Sequence, residues 1–233
     1  LCEDLDEGVT IEGFTLQNGR TEDVQMDSGG GILCSNAPMI LRNCRIQFNT
    51  GSYGNGVAIY SSEVLMEDCW IRENHGAGGG GGITMSHSAP IIRRCVIDSN
   101  STWDGGGIWI SGNSTPQIHD CLFLNNYADF WGGAVGVQGD DSRPFFSQCT
   151  FYGNAADWDG GIFWVCTDSQ VDVENSILAF SLDGGGIHLY EDNANPMVNL
   201  VCCDIFANVG GDFTGEMPDV VGLDGNISEH PLF

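Results

Sequence analysis

The sequence predicts an all-β solenoid, a parallel β-helix of about eight coils in one domain over residues 1–233. Three observations predict it. Two residue columns recur in phase along the chain, the apolar residues within each unit alternate with a period of two, and Gly- and Asn-rich stretches punctuate the units. Short strands of this kind cannot bury a core alone, so each unit must stack on its neighbours.

The first column is a small residue five places before an Asn: Gly13, Cys44, Cys69, Cys95, Cys121, Cys149, Ser176 and Cys203. Its successive spacings are 31, 25, 26, 26, 28, 27 and 27 residues. Five places on stand Asn18, Asn49, Asn74, Asn100, Asn126, Asn154, Ser181 and Asn208. The second column is apolar and follows small residues: Ile32, Ile59, Ile83, Ile108, Val135, Ile162, Ile187 and Phe213. In Ile92-Arg93-Arg94-Cys95-Val96-Ile97 the repeated positions are Ile92, Cys95 and Ile97, matched by Ile118, Cys121, Phe123 and by Phe146, Cys149, Phe151. This alternation means strands with one buried face, and the polar pair before each Cys marks a bend between two of them. Stacking places the Cys, Ile and Phe columns inside, each residue about 4.8 Å from the next. Stacked Asn form an amide ladder at a turn, and the Gly before the Ile column stand where a Cβ would clash. Repeats run from about residue 9 to 213, with 214–233 as a C-terminal extension.

Phe123-x-x-Asn126 and Phe151-x-x-Asn154, with Gly105-Gly106-Gly107-Ile108 and Gly132-Gly133-Ala134-Val135, resemble the Phe-x-x-Asn and Gly-Gly-Ala-Ile motifs of polymorphic outer-membrane-protein repeats. The similarity covers Val9 to Phe213 and departs where Ile46, Ile71 and Ile97 replace Phe and where Gly56-Val57-Ala58-Ile59 loses a Gly. Those repeats build bacterial surface passengers and adhesins, and the resemblance implies a right-handed helix and a cell-surface setting. Right-handed crossovers are also the rule for parallel strands.

Thirty-four Gly without a three-residue period exclude a collagen-like chain. Seven Lys+Arg against 32 Asp+Glu give a net charge of −25, which repels phosphate backbones and anionic lipid surfaces. Nucleic acid is therefore excluded as a partner, and no stretch approaches the ~20 apolar residues of a membrane-spanning helix. The opening Leu1-Cys2-Glu3-Asp4-Leu5-Asp6 lacks the features of a signal peptide. Together with the apolar ending Pro231-Leu232-Phe233, it is expected to mark an excerpt of a longer polypeptide. Ten Cys invite a disulfide framework, but six fall in one inward column whose ~4.8 Å spacing exceeds disulfide geometry. They are expected as buried thiols; Cys34 and Cys166 follow the Ile column at unlike positions, and Cys2 and Cys202 are left unplaced. No spacing matches a zinc site.

With the interior sealed, a site must lie on outward residues or in turns. The turn between the Asn and Gly columns reads Ser101-Thr102-Trp103-Asp104, then Tyr127-Ala128-Asp129-Phe130-Trp131, then Ala155-Ala156-Asp157-Trp158-Asp159. Tyr53, His75 and Asp183 extend the column. Indole faces stack on sugar rings and carboxylates accept from hydroxyls, so Trp103, Asp104, Asp129, Trp131, Asp157, Trp158 and Asp159 read as a glycan-binding strip. The bland alternative is that the Trp residues only cover an apolar shoulder. The same aspartates, with His75, could serve a glycosidase, whereas the absence of Lys and Arg from these turns speaks against a lyase. Asp157-Trp158-Asp159-Gly160 has the opening of a calcium loop without its remainder. Asn100, Asn113 and Asn226 begin glycosylation sequons, and Trp70, Trp109, Phe163 and Tyr152 are expected to face outward. The leading reading is a non-catalytic extracellular or cell-surface scaffold, adhesin-like or glycan-binding, without cofactor. A polysaccharide-degrading enzyme and a purely structural fibre or surface layer, stacking end to end, are the alternatives.

Overall fold

The computed structural model describes residues 1–4, 8–21, 29–139, 141–191 and 195–232, and its regular elements are all β-strands. Leu5, Asp6 and Phe233, on which the reading of the two ends partly rested, lie outside the described residues. The strands form a parallel solenoid of about eight turns: a nine-stranded first sheet, eight-stranded second and third sheets, and a five-stranded fourth. One lap shows the plan. Ile83–Ser86 lies in the first sheet, Ile91–Arg93 in the second, Val96–Asp98 in the third and Ser101–Asp104 in the short fourth, before Ile108–Ser111 begins the next lap.

The bends follow from local residue chemistry. Between second and third sheets each coil turns on one left-handed residue: Asn43, Asp68, Arg94, Asp120, Gln148, Asn175 and Cys202 all have φ of 50–55°. Short polar side chains tolerate that conformation best, which accounts for the Asn and Asp here. The following Cys then points inward; Cys44, Cys69, Cys95, Cys121, Cys149 and Cys203 are all buried. Behind them the third-sheet column Ile46, Ile71, Ile97, Phe123, Phe151, Leu178 and Ile205 is in register. Phe123 stacks on Phe151 at 4.6 Å, and Phe146 and Phe163 meet them edge-on from the other sheets.

The Asn ladder is as expected over its middle. Asn126 Nδ2 donates to Asn154 Oδ1 at 3.0 Å, and Asn100 Nδ2 donates to Asn126 Oδ1 at 3.0 Å. The ladder stops at Ser181, whose buried hydroxyl has no partner among the described residues.

The register corrects four column assignments and one facing. In the first coil Phe14 and Gly19, not Gly13 and Asn18, align with Cys44 and Asn49, so that unit was read one residue early. Val57, not Ile59, pairs with Ile32 and Ile83; Phe163, not Ile162, pairs with Val135 and Ile187. Phe163 is therefore interior, and Trp164 is the outward residue. A one-residue slip exchanges the two faces of a strand, which is why this small error moved a large side chain. Ile59 instead continues the inward line of Cys34, Met85, Ile110, Val137 and Val165.

The C-terminal extension packs. Met217 and Val220 lie on the core, Asn226 Oδ1 accepts from the Cys203 N–H at 3.0 Å, and Ile227 bridges to Asp204. All ten Cys are free, and only Cys202 is exposed. Neighbouring thiols and burial hold Cys69, Cys95 and Cys121 well above the usual thiol range. A disulfide-exchange reagent is therefore expected to titrate about one thiol per native chain and all ten after denaturation. Fast reaction of several native thiols would contradict the interior column.

Candidate functional site

The fourth sheet sets the site. Ser101 pairs with Tyr127 and Thr102 with Ala128, after which the register slips and Asp104 pairs with Trp131. The slip is the bulge expected where a turn carries one extra residue, here Phe130. Trp131 in turn bridges to Asp159. The seven candidate residues thus divide into two groups. Trp103, Asp129, Asp157 and Trp158 stay on the exposed flank, where Phe130 joins the two indoles at 6.5 and 5.0 Å. Asp104, Trp131 and Asp159 form one column at the edge of the first sheet.

That sheet's outer face carries an aromatic run. Trp131 stacks on Trp164 at 5.1 Å, Trp164 on Trp109 at 6.1 Å, and Tyr190 on Trp164 at 6.2 Å. Gly136 lies between the two stacked indoles in sequence register, and a Cβ there would stand 2.5 Å from the Trp109 ring. The run makes Trp109 and Trp164 nearly inaccessible, and Cys166 sits buried with them. Trp103 and Trp158 remain about half exposed, at 49% and 58%.

Beside Trp109 the same face opens into a groove of about 610 Å³, lined by Tyr53, Tyr60, Ser86, His87, Trp109 and Asp104 among others. Asp104 is its charged wall. The Asp104 Oδ1 atom is buried without a hydrogen-bond partner among the described residues. Burial, and secondarily the charge of Asp129, push this carboxyl up to about 6, only partly offset by a hydrogen bond from the Trp131 backbone. At the far end His188 Nδ1 lies 3.3 Å from Asp159; burial lowers the imidazole and Asp159 opposes that. On the exposed flank Tyr127 donates to Asp157, which raises the phenol to about 12.

Charge is sorted around the axis. From each Asn of the ladder to the end of the next first-sheet strand, Asn49 through Tyr190, the chain has five Asp and no Arg. There is no Lys anywhere; Arg42, Arg45, Arg72, Arg93, Arg94 and Arg143 belong to the second and third sheets or the bends beside them, and Arg20, in the first coil, bridges to Thr50 of the fourth sheet. Arg42 and Arg93 both pair with Glu67 there.

Because the folded carboxyl of Asp104 is raised, the native state binds its proton more tightly than the unfolded chain. Its ionised form opposes folding, and the penalty grows as pH climbs from about 4 through about 6. Asp104→Asn is therefore expected to raise the denaturation midpoint at pH 7 and leave it unchanged near pH 4. An equal shift at both pH values would remove ionisation as the cause.

Sequence reading missed Trp164, His188 and Tyr190. The available signal was parity: Trp109 and Trp164 share an outward column once Phe163 is placed inside. Asp157 and Asp159 point to different partners, Tyr127 and His188, so the Asp-x-Asp-Gly segment does not converge on a cation. Among the described residues no group of three or more His, Cys, Asp or Glu could hold a metal ion. Of the sequon residues, Asn100 and Asn226 are buried in hydrogen bonds and only Asn113 is exposed. No helix of the described residues is long and apolar enough to cross a membrane.

The family model described as a right handed beta helix region matches residues 3–199. Neither curated proteins nor solved structures yield a match to the chain.

Proposed function

The chain belongs to the right-handed β-helix region family, and from that premise we propose that it is a non-catalytic extracellular or cell-surface scaffold that binds a glycan. The observation that carries the reading is the groove beside Trp109, where the Asp104 carboxyl, one oxygen of which has no partner among the described residues, and the Tyr53 and Tyr60 side chains share the lining of a stacked scaffold. Aromatic faces take the apolar faces of sugar rings, and a desolvated carboxylate accepts from hydroxyls. Coils repeat every ~4.8 Å, so a chain of sugars laid along the axis meets equivalent positions on successive laps. Trp103, Phe130 and Trp158 offer a second aromatic line on the adjoining flank. The charge of −25 and the likeness to surface-passenger repeats support an extracellular or cell-surface setting.

Affinity electrophoresis on polysaccharide gels, with a glycan array, tests this. Retention that weakens in Tyr60→Ala or in a Trp103→Ala/Trp158→Ala double variant supports it. No retention on any polysaccharide sinks it.

One observation favours a second reading, a glycoside hydrolase. Asp104, whose carboxyl is pushed up to about 6 by burial and by the charge of Asp129, titrates close enough to neutral pH to give up a proton as a general acid does next to a carboxylate partner. Release of reducing ends, lost in Asp104→Asn, would establish it.

A further inference from the structure

We propose that the groove selects glycans bearing free amino groups, glucosamine-type polymers, over neutral and uronate-bearing ones. The inference rests on the glycan-binding reading and names the ligand class for that site. Three observations converge on it, and each excludes a different alternative.

The first is the charge sorting. The face that holds the groove contributes Asp104, Asp129, Asp157, Asp159 and Asp183 and no Arg, from Asn49 to Tyr190. A uronate chain would approach this field with like charge, and no Arg or Lys lines the groove to offset it. Arg42 and Arg93 are on other sheets and already paired to Glu67, and the one Arg on this side, Arg20, bridges to Thr50 a coil before Gly76 and two before Asp104.

The second is Asp104 itself. Its Oδ1 is buried with no hydrogen-bond partner among the described residues, while the residue itself lines the groove, so the carboxyl group is poorly compensated where a ligand would meet it. A sugar hydroxyl could donate to the groove-facing side of this carboxylate but would leave it half-buried without an opposite charge. An ammonium group supplies the hydrogen bond and the counter-charge together, and such charge-assisted bonds are roughly twice as strong as neutral ones.

The third is what surrounds it. The partly exposed Tyr53 and Tyr60 line the same groove beside the nearly buried Trp109, and aromatic faces attract a cation within about 6 Å of the ring centroid. A lone metal cation is a poor fit, since the described residues offer no convergent group of three ligating side chains. An amino sugar uses the whole set: its ring lies on the aromatic wall while its ammonium meets Asp104.

The test compares matched β-1,4-linked oligomers of glucosamine, N-acetylglucosamine and a uronic acid against the full chain near neutral pH, by isothermal titration calorimetry. The glucosamine oligomer is expected to bind at least about tenfold tighter than the N-acetylated one, about 1.4 kcal/mol, with the uronate weakest. In Asp104→Asn, whose folding is checked by its denaturation midpoint, the ratio between amine and N-acetyl oligomers should fall to about one. Equal affinity of the native protein for the neutral and amine oligomers would overturn the amine preference while leaving the glycan reading standing. Oligolysine binding as tightly as the amino sugar would also overturn it, by showing that charge alone is read. Failure of every oligomer to bind would sink the glycan reading itself.

Discussion

Asn126→Ala is expected to lower the free energy of unfolding by about 3–5 kcal/mol, a large share of a stability that for whole domains is commonly about 5–15 kcal/mol. Asn126 is fully buried and uses both ends of its amide. Nδ2 donates to Asn154 Oδ1 at 3.0 Å and to the Ile97 carbonyl at 2.9 Å. Oδ1 accepts from the Asn100 backbone N–H at 3.1 Å and from Asn100 Nδ2 at 3.0 Å. Alanine strips these partners at once, and each buried group left unsatisfied costs about 1–3 kcal/mol. No water can replace the amide unless the corner opens. The natural interruption of the ladder supplies the converse experiment. Ser181 occupies the same position with an unpartnered hydroxyl, while its backbone N–H is already served by Asn208 Oδ1 at 2.9 Å. Ser181→Asn is expected to raise stability by about 1 kcal/mol by joining the two halves of the ladder. Urea unfolding followed by circular dichroism checks both. If Asn126→Ala costs no more than an exposed Asn→Ala, the ladder is not what holds this corner.

The ladder also shows how much was legible before any coordinates. Residues that repeat because every coil needs them are readable from one chain: Asn49 to Asn154, Cys44 to Cys203, and the left-handed polar residues before each Cys. Their signal is multiplied by the number of coils. The first coil was misread by one residue because Gly19 carries no side chain to mark its place beside Asn49. The site is less legible for the opposite reason, since it is built from residues that do not repeat. Trp109, Gly136 and Trp164 occupy one outward column, yet only the pairing shows that the glycine lets two indoles approach across it. The acid–aromatic turns were visible as composition. The bulge at Phe130, which brings Asp104, Trp131 and Asp159 into one column and leaves Trp103 and Trp158 on the flank with Trp158 edge-on to Trp131 at 5.5 Å, was not. Strand parity is decided by a single residue, and composition is blind to it.

Gly106→Ala is expected to cost about 3 kcal/mol or more, beyond the about 1–3 kcal/mol typical of overpacking, and to disable the groove. The position is tight in space, not in φ. A Cβ on Gly106 would stand 2.4 Å from the Tyr127 carbonyl oxygen and 2.5 Å from that of Gly133. Both obstacles are backbone of the next coil. Gly133 cannot retreat easily, because its carbonyl accepts from the Gly107 N–H at 3.1 Å and its own N–H donates to Gly160 at 3.0 Å. The methyl must therefore push the coils apart at the corner where the fourth sheet passes into the first. Gly106 lies two residues after Asp104 and three before Trp109, so the same displacement separates the charged wall of the groove from its aromatic one. Gly8→Ala is the control: the nearest atom to its added Cβ is 3.6 Å away, and its effect should stay within about 0.5 kcal/mol. Denaturant melts of the two variants, with glycan retention measured on whatever remains folded, separate the cases. A Gly106→Ala protein as stable as the Gly8→Ala control would mean the coils at this corner are not packed backbone against backbone, and the juxtaposition of Asp104 with Trp109 would lose its structural basis.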